Sequence, residues 1–236
     1  SKMLTFNFKK ISPSQDSFML DVGCGEGRHI FGFMDVHANV NCVGIDLDLP
    51  SIIESKKNLT LFSSITNKES NFLQGSLYHL PFNDQTFETI ICSEVLEHVS
   101  DVESALNEID RLLKPGGKLL ISVPSFLPEK ICWLLSSDYQ EMPGGHVRIF
   151  KKNILKNLVT KRGYIYLNSE KFHALHSPYW WLRCLFWDTQ DTNFLVKQYK
   201  KILELQILKS TPILNFIDKI LNPIIGKSSA FYFQKK

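Results

Sequence analysis

Leu20-Asp21-Val22-Gly23-Cys24-Gly25-Glu26-Gly27 is an apolar strand end carrying an acid that runs straight into three glycines at alternate positions. Glycines so spaced let the backbone turn sharply into a following helix and approach a ligand with no Cβ in the way. A strand, a tight glycine turn and a helix make up the first unit of a parallel α/β sheet, and the turn is where such a sheet holds its ligand.

Two cofactor classes use such a turn. The dinucleotide pattern G-x-G-x-x-G would need a third glycine at position 28, which is Arg28. The D-x-G-x-G-x-G spacing instead resembles motif I of the class I S-adenosylmethionine (SAM) methyltransferases, of the methyltransferase type 11 kind. The resemblance implies that Gly23, Cys24, Gly25 and Gly27 pass under the methionine part of SAM and that Asp21 helps position its ammonium group. Val40 to Asp48 is a short apolar strand closing on an acid about 20 residues after the loop, the place where an acid accepts from ribose hydroxyls. Asp46 is the ribose candidate, with Leu47 beside it. Asn71 to Phe87 resembles the family segment after strand three, which holds the adenine amine. The family's usual aspartate there is replaced by Ser76, after Gly75, so Ser76 or the backbone of Leu77 substitutes; Ser93 is a weaker contact.

The remaining landmarks follow in the family's order: Glu88 to Val99, a helix around Asp101 to Leu113, and Lys114-Pro-Gly-Gly-Lys-Leu-Leu-Ile-Ser-Val-Pro124, where Pro-Gly-Gly stops a helix and starts a strand. Strands are expected near 18–22, 40–46, 71–74, 87–92, 118–123, 164–173 and 229–234, with helices between them. The expected fold is α/β, Rossmann-like and doubly wound: a seven-stranded, mostly parallel sheet with an antiparallel last strand, plus a helical, aromatic-rich extension before that strand. The domain reading is a single methyltransferase domain over 1–236, with its core at about 16–174, the extension at about 177–224 and the final strand at about 228–235.

At 236 residues and 44% hydrophobic, the chain can bury a full core. Its five cysteines are odd in number and include no C-x-x-C pair, which argues for reduced thiols in a cytoplasmic setting and against a disulfide frame or zinc knuckle. The opening Ser1-Lys2-Met3 begins no signal pattern, and nothing reaches the roughly 18 apolar residues a membrane span requires. Charge is uneven. Residues 151–236 hold 15 Lys or Arg against 5 Asp or Glu, a net of +10, so with 27 and 24 in the whole chain the first 150 residues carry −7. A basic extension can face nucleic-acid phosphates or an anionic membrane, or can consist of solvated helix faces. Ser177 to Trp187 (SPYWWLRCLFW) packs three of the four tryptophans into eleven residues. Such a helix lines an apolar acceptor pocket, rests at a membrane interface, or packs on the sheet or a homodimer partner. The helical pattern over 192–221 reads as ordinary core or interface broken at Pro212.

The chemistry centres on Glu94, Glu97, His98 and His146. On a helix after strand four, Glu94 and Glu97 at i and i+3 share a face, with His98 one turn from Glu94. This E-x-x-E-H pattern, with the distant Gly144-Gly145-His146-Val147-Arg148-Ile149-Phe150, resembles two methyltransferase groups. These are the quinone-biosynthesis O-methyltransferases and the small-RNA 3′-terminal 2′-O-methyltransferases, and the resemblance implies Mg²⁺ or another divalent cation held by all four residues, to orient acceptor hydroxyls and lower the pKa of one. Without a metal the glutamates and histidine brace the wall, and His98, His146 and Glu94 are the catalytic candidates. The expected activity is in-line methyl transfer from SAM to oxygen on a small-molecule or lipid-like acceptor, in the cytoplasm or peripheral at the inner membrane face. RNA 2′-O-methylation and a non-catalytic SAM-binding protein are the alternatives, nucleic acid ranking behind a small acceptor as partner.

Overall fold

Alternating βα units place every helix of the first half against a sheet that is covered on both faces. The computed structural model describes residues 3–62, 70–209 and 211–236; Ser1 and Lys2 of the opening tripeptide, and Ser210 within the long C-terminal helical pattern, lie outside them. The chain runs β1 (Phe18–Val22), α1 (Arg28–Val36), β2 (Asn41–Asp46), α2 (Leu49–Phe62), β3 (Ser70–Gln74), β4 (Phe87–Ser93), α3 (Val102–Leu112) and β5 (Leu113–Pro124). It continues through α4 (Phe126–Leu135), α5 (Ser137–Glu141), α6 (Lys152–Thr160), β6 (Tyr164–Phe172), α7 (His176–Leu185), α8 (Phe194–Lys209), α9 (Pro212–Ile225) and β7 (Ser228–Lys235).

The seven strands lie in the order β3-β2-β1-β4-β5-β7-β6. β1 to β5 pair in parallel, and β7 is antiparallel to both β5 and β6. This is the doubly wound, mostly parallel sheet expected from the sequence, with the helical extension inserted before its last strand. Strand order reverses between β1 and β4, so the crevice outside their carboxyl ends is the natural ligand site. β1, β4 and β5 are near-continuous apolar runs because helices cover both faces. Alternate residues feed two cores: Leu20, Ile90 and Ile121 pack under α3 and α6, whereas Met19, Ile91 and Leu120 pack with α1.

The helix expected around 101–113 is present, and two other local readings change. That helix spans 102–112, with the Asp101 carboxylate accepting from the Ser104 N–H at 3.0 Å as its N-cap. Pro115-Gly116-Gly117 does not separate helix from strand. Leu113 already pairs with Phe87, and the chain then makes an excursion, with Gly116 at φ +76°, before Lys118 pairs with Thr89. The long C-terminal helical pattern is broken at Pro212 as expected, and this proline stands in the first turn of α9, where its missing N–H costs nothing. No side chain of α9 is buried, so it is not ordinary core.

Candidate active site

The glycine loop is held open from below. Gly23 and Cys24 N–H groups donate to the Ile45 carbonyl at 2.8 and 3.1 Å, and Gly25 N–H donates to Asp46 Oδ2 at 2.7 Å. The other Asp46 oxygen accepts from Asp48 N–H at 2.9 Å. Asp46 thus ties the loop after β1 to the end of β2. All three glycines have positive φ, but they differ in what surrounds them. A Cβ on Gly23 would meet Val95 Cγ2 at 2.2 Å, and one on Gly27 would meet Phe31 and Phe72 at 2.9 Å. A Cβ on Gly25 would meet nothing within 4 Å. Gly23 and Gly27 serve packing; Gly25 is the glycine that borders open space.

Beside the loop lies a cavity of about 490 Å³ lined by Gly23, Asp46, Leu47, Ser76, Leu77, Glu94 and His98 among the sequence candidates, with Gly25 outside its lining. Tyr78, Val95, Val99 and Ser100 complete its wall without having been singled out from the sequence. Ser76 Oγ accepts from Tyr78 N–H at 3.3 Å. Cys24 and Ser93 turn away from the cavity: the Cys24 thiol is buried, which pushes its pKa far up, and Ser93 Oγ lies 2.8 Å from Ser122 Oγ. Asp21 is fully buried and neither carboxylate oxygen has a hydrogen-bond partner. Burial pushes its pKa up to about 8, with Arg28 opposing and Asp46 adding to the rise.

Glu94 to Ser100 do not form the expected helix. Glu94 has φ +55°, donates its N–H to the Ser122 carbonyl at 2.9 Å and accepts from Ser122 Oγ at 2.9 Å, so the chain leaves β4 in a left-handed step. A single turn follows, closed by His98 N–H on the Val95 carbonyl. Arg148 pins this turn, donating to the carbonyls of Leu96, Val99 and Ser100. Glu94 and Glu97 therefore do not share a helix face, and Glu94 faces the cofactor cavity alone.

Glu97, His98 and His146 do come together, with one ligand atom from each lying within 4.8 Å of the others. Glu97 is completely buried, its oxygens without hydrogen-bond partners, and burial, then the Glu94 charge, push its pKa well up. Val147 N–H donates to the Glu97 carbonyl at 2.9 Å, which brings the His146 loop over the turn. The rings of His98 and His146 stand 4.9 Å apart. His98 Nδ1 is 3.1 Å from the Gly145 carbonyl, and burial and His146 lower its pKa, so its imidazole is neutral near pH 7.

Glu129, on α4, is a buried partner of His146 that the sequence reading missed. It is 2% exposed, lies 2.6 Å from His146 Nδ1 and accepts from Tyr139 Oη at 3.0 Å. Burial raises its pKa, yet the His146 hydrogen bond and charge bring the net value below the ordinary carboxylate range. The aromatic segment builds the wall behind this pair. Trp180 and Trp187 stand 5.8 and 5.7 Å from the Tyr139 ring, and Trp181 Nε1 donates to the Pro128 carbonyl at 3.0 Å. The segment packs on α4 and α5 rather than on the sheet.

Residues 20–121 match the family described as a methyltransferase domain. Over those residues the chain is similar to methyltransferase domains. Among its relatives, the demethylmenaquinone methyltransferase of Lactobacillus johnsonii is 32% identical over 152 residues, covering 61% of this chain and 62% of that protein. The sterol 24-C-methyltransferase erg6 of Schizosaccharomyces pombe is 32% identical over 136 residues, covering 56% of this chain and 32% of that one. The chain thus spans less than two thirds of either relative's length. The crystal structure of the YcgJ protein from Bacillus subtilis shares the fold, with a TM-score of 0.62 at 20% identity over 97% of this chain and 96% of that one. Among the described residues no helix is long and apolar enough to cross a membrane.

Proposed function

We propose that the chain transfers a methyl group from SAM to oxygen on an apolar, lipid-like acceptor. The observation that carries methyl transfer is the Gly25 cradle. Its N–H is held by Asp46 beside open space, and Asp46 in turn lines the cavity whose wall also bears Glu94 and His98. The residues present fit SAM. The orphaned carboxylate of Asp21 suits an ammonium group, and the α1 N-terminus, whose N-cap Gly27 makes no side-chain cap, suits a carboxylate. Asp46 retains lone pairs for ribose hydroxyls, and Leu47 and Leu77 offer apolar contact to a base. Bound there, SAM supplies a sulfonium whose methyl carbon is electrophilic and whose departure needs no acid.

What remains for the protein is to align the acceptor, exclude water and take up the hydroxyl proton. His146 is the base of choice. Glu129 orients its ring through Nδ1 and stabilises the imidazolium that forms, leaving Nε2 for the acceptor. Neutral His98 stands beside it as a second nitrogen acceptor. The same three groups, Glu97, His98 and His146, also fit a divalent cation. Both Nδ1 atoms are engaged by protein acceptors, neither Nε2 makes a hydrogen bond to the protein among the described residues, and the buried Glu97 carboxylate, 4.0 Å from His98 Nε2, has no hydrogen-bond partner there. Two imidazoles and one carboxylate suit a transition ion better than Mg²⁺, and such an ion would lower the pKa of an acceptor hydroxyl.

A lipid-like acceptor is supported by a cleft of about 860 Å³ beside the carboxyl ends of β5 and β6, lined by Phe126, Leu127, Phe150, Phe172 and Phe231. It is supported too by the two relatives, which are named for a quinone precursor and a sterol. The test is transfer of labelled methyl from SAM into lipid, RNA and small polar pools of a cell extract, with and without EDTA. Label in the lipid pool, on oxygen, is expected. Label confined to RNA would replace the acceptor, label on carbon would remove the oxygen assignment, and an unchanged rate in EDTA would remove the metal. Normal SAM binding with no label in any pool would leave a non-catalytic binding protein.

A further inference from the structure

Helix α9 is amphipathic, and it sits in the fold with its apolar face outward. Ile213, Phe216, Ile217, Ile220 and Ile224 recur at helical spacing on one face, and all are exposed, from 37% for Ile217 to 70% for Ile213. The opposite face is bolted to the body by polar contacts. Asp218 Oδ1 accepts from Leu175 N–H and Asn222 Oδ1 from Ala174 N–H, both at 2.9 Å. Ser177 Oγ donates to the Ile225 carbonyl at 2.6 Å, and Lys171 Nζ to the Ile224 carbonyl at 3.3 Å. Rotating α9 to bury its isoleucines would break the Asp218 and Asn222 bonds, so the outward stripe is a fixed orientation of the helix and not a loose end. Phe194 and Leu205 of α8 add exposed apolar surface.

Charge selects what covers the stripe. Lys197, Lys200, Lys201, Lys209 and Lys219 lie on these two helices, against Glu204 and the inward-turned Asp218. They belong to the segment of net +10, while the first 150 residues carry −7. A second copy packed stripe to stripe would oppose like charges across the symmetry axis. A bilayer surface rich in anionic lipid satisfies both the apolar stripe and its lysines, as interfacial helices do. We propose that the α9 stripe, with Phe194 and Leu205 beside it, docks this protein on an anionic membrane surface. The docking stands independently of the proposed reaction, but the two join. Lys219, Asn222 and Pro223 of α9 line the 860 Å³ cleft, so docking would set that cleft at the lipid boundary.

The experiment is co-sedimentation of the full chain with phosphatidylcholine vesicles and with vesicles containing phosphatidylglycerol. Binding to the anionic vesicles is expected, weakened by raised salt. The double variant Phe216→Ser/Ile220→Ser should lower that binding by about tenfold or more, with unchanged melting temperature and SAM affinity. No binding to anionic vesicles, or equal binding by the variant, overturns the proposal. So does a wild-type dimer in sedimentation equilibrium that the variant dissolves, because the stripe would then be a subunit interface. Failure of the methyl-transfer reading is seen separately: the variant should still label a detergent-dispersed lipid pool at the wild-type rate.

Discussion

The central strands of the sheet and helix α9 treat apolar residues in opposite ways. Among the strands, β1, β4 and residues 119–124 of β5 are buried almost without interruption, and two buried acids nearby, Asp21 and Glu97, have no hydrogen-bond partner for their carboxylates. By contrast α9 buries no side chain and turns Asp218 and Asn222 to the body of the protein. Hydrophobic pattern therefore means core in one region and surface in the other. The sequence periodicity is equally clear in both, but only the contacts of the polar face tell which way a helix is turned.

The sharpest break lies within the glycine loop. Gly23→Val should abolish folding, because a Cβ would overlap Val95 Cγ2 at 2.2 Å and the position needs φ +71°. Gly25→Val meets no neighbour, so it should fold, strained at φ +52°, and lose SAM binding. Circular dichroism and calorimetric titration separate the two. A Gly25→Val protein that binds SAM like the parent would remove the cradle. Next in size, Ile90→Ala in the fully buried centre of β4 should cost about 2–5 kcal/mol in denaturant unfolding.

Legibility follows the same divide. The strands and the glycine loop could be read because apolar runs and alternate glycines have few other uses. Glu94 to Val99 could not, since Glu-Val-Leu-Glu-His-Val is an ordinary helical pattern and nothing in a glutamate announces φ +55°. The step is imposed by Ser122, 28 residues away, which holds Glu94 at both its N–H and its carboxylate. Glu129 was missed for a related reason. One acid among Phe126-Leu-Pro-Glu-Lys-Ile-Cys-Trp133 reads as the wet side of a helix, and only the returning His146 loop and Tyr139 show it to be inside. Arg148 was visible as part of the His146 segment, but its grip on the 96–100 turn is a tertiary fact.

Glu129→Gln tests whether the dyad is chemical. It keeps the shape but removes the charge that stabilises a protonated His146, so kcat should fall by about 10²-fold with KM and SAM affinity little changed. The lost base should also show as a flattened pH–rate profile, which mere loosening of α4 would not give. A pH-dependent effect is expected of Asp21→Asn. An unfolded aspartate titrates near 3.9, whereas Asp21 in the fold is pushed up to about 8, so ionising it is penalised only in the folded state. Its contribution is intact below about pH 4 and is lost as the pH rises toward about 8. An ammonium ligand reverses the penalty, so SAM affinity should rise through that window by up to about tenfold per pH unit. The Asp21→Asn variant should flatten both curves, of melting temperature and of dissociation constant; a surviving rise in affinity would place the ammonium elsewhere.

The smallest expected change is the one that decides whether the two regions differ as described. Ile220 has the same side chain as Ile90, on a helix of equally clear amphipathic pattern, yet it is 56% exposed. Ile220→Ser should alter unfolding free energy by no more than about 0.5 kcal/mol, the range of surface substitutions that touch no cap, charge pair or cavity. Its polar neighbours on the far face, Asp218 and Asn222, keep their bonds to Leu175 and Ala174, so α9 has no reason to turn. A loss of several kcal/mol would mean that Ile220 is buried in solution, against the body or a second copy, and the contrast between core strands and a surface-facing helix would fall. An unchanged stability together with weaker binding to anionic vesicles would show the stripe to be free in the isolated protein and occupied at a membrane.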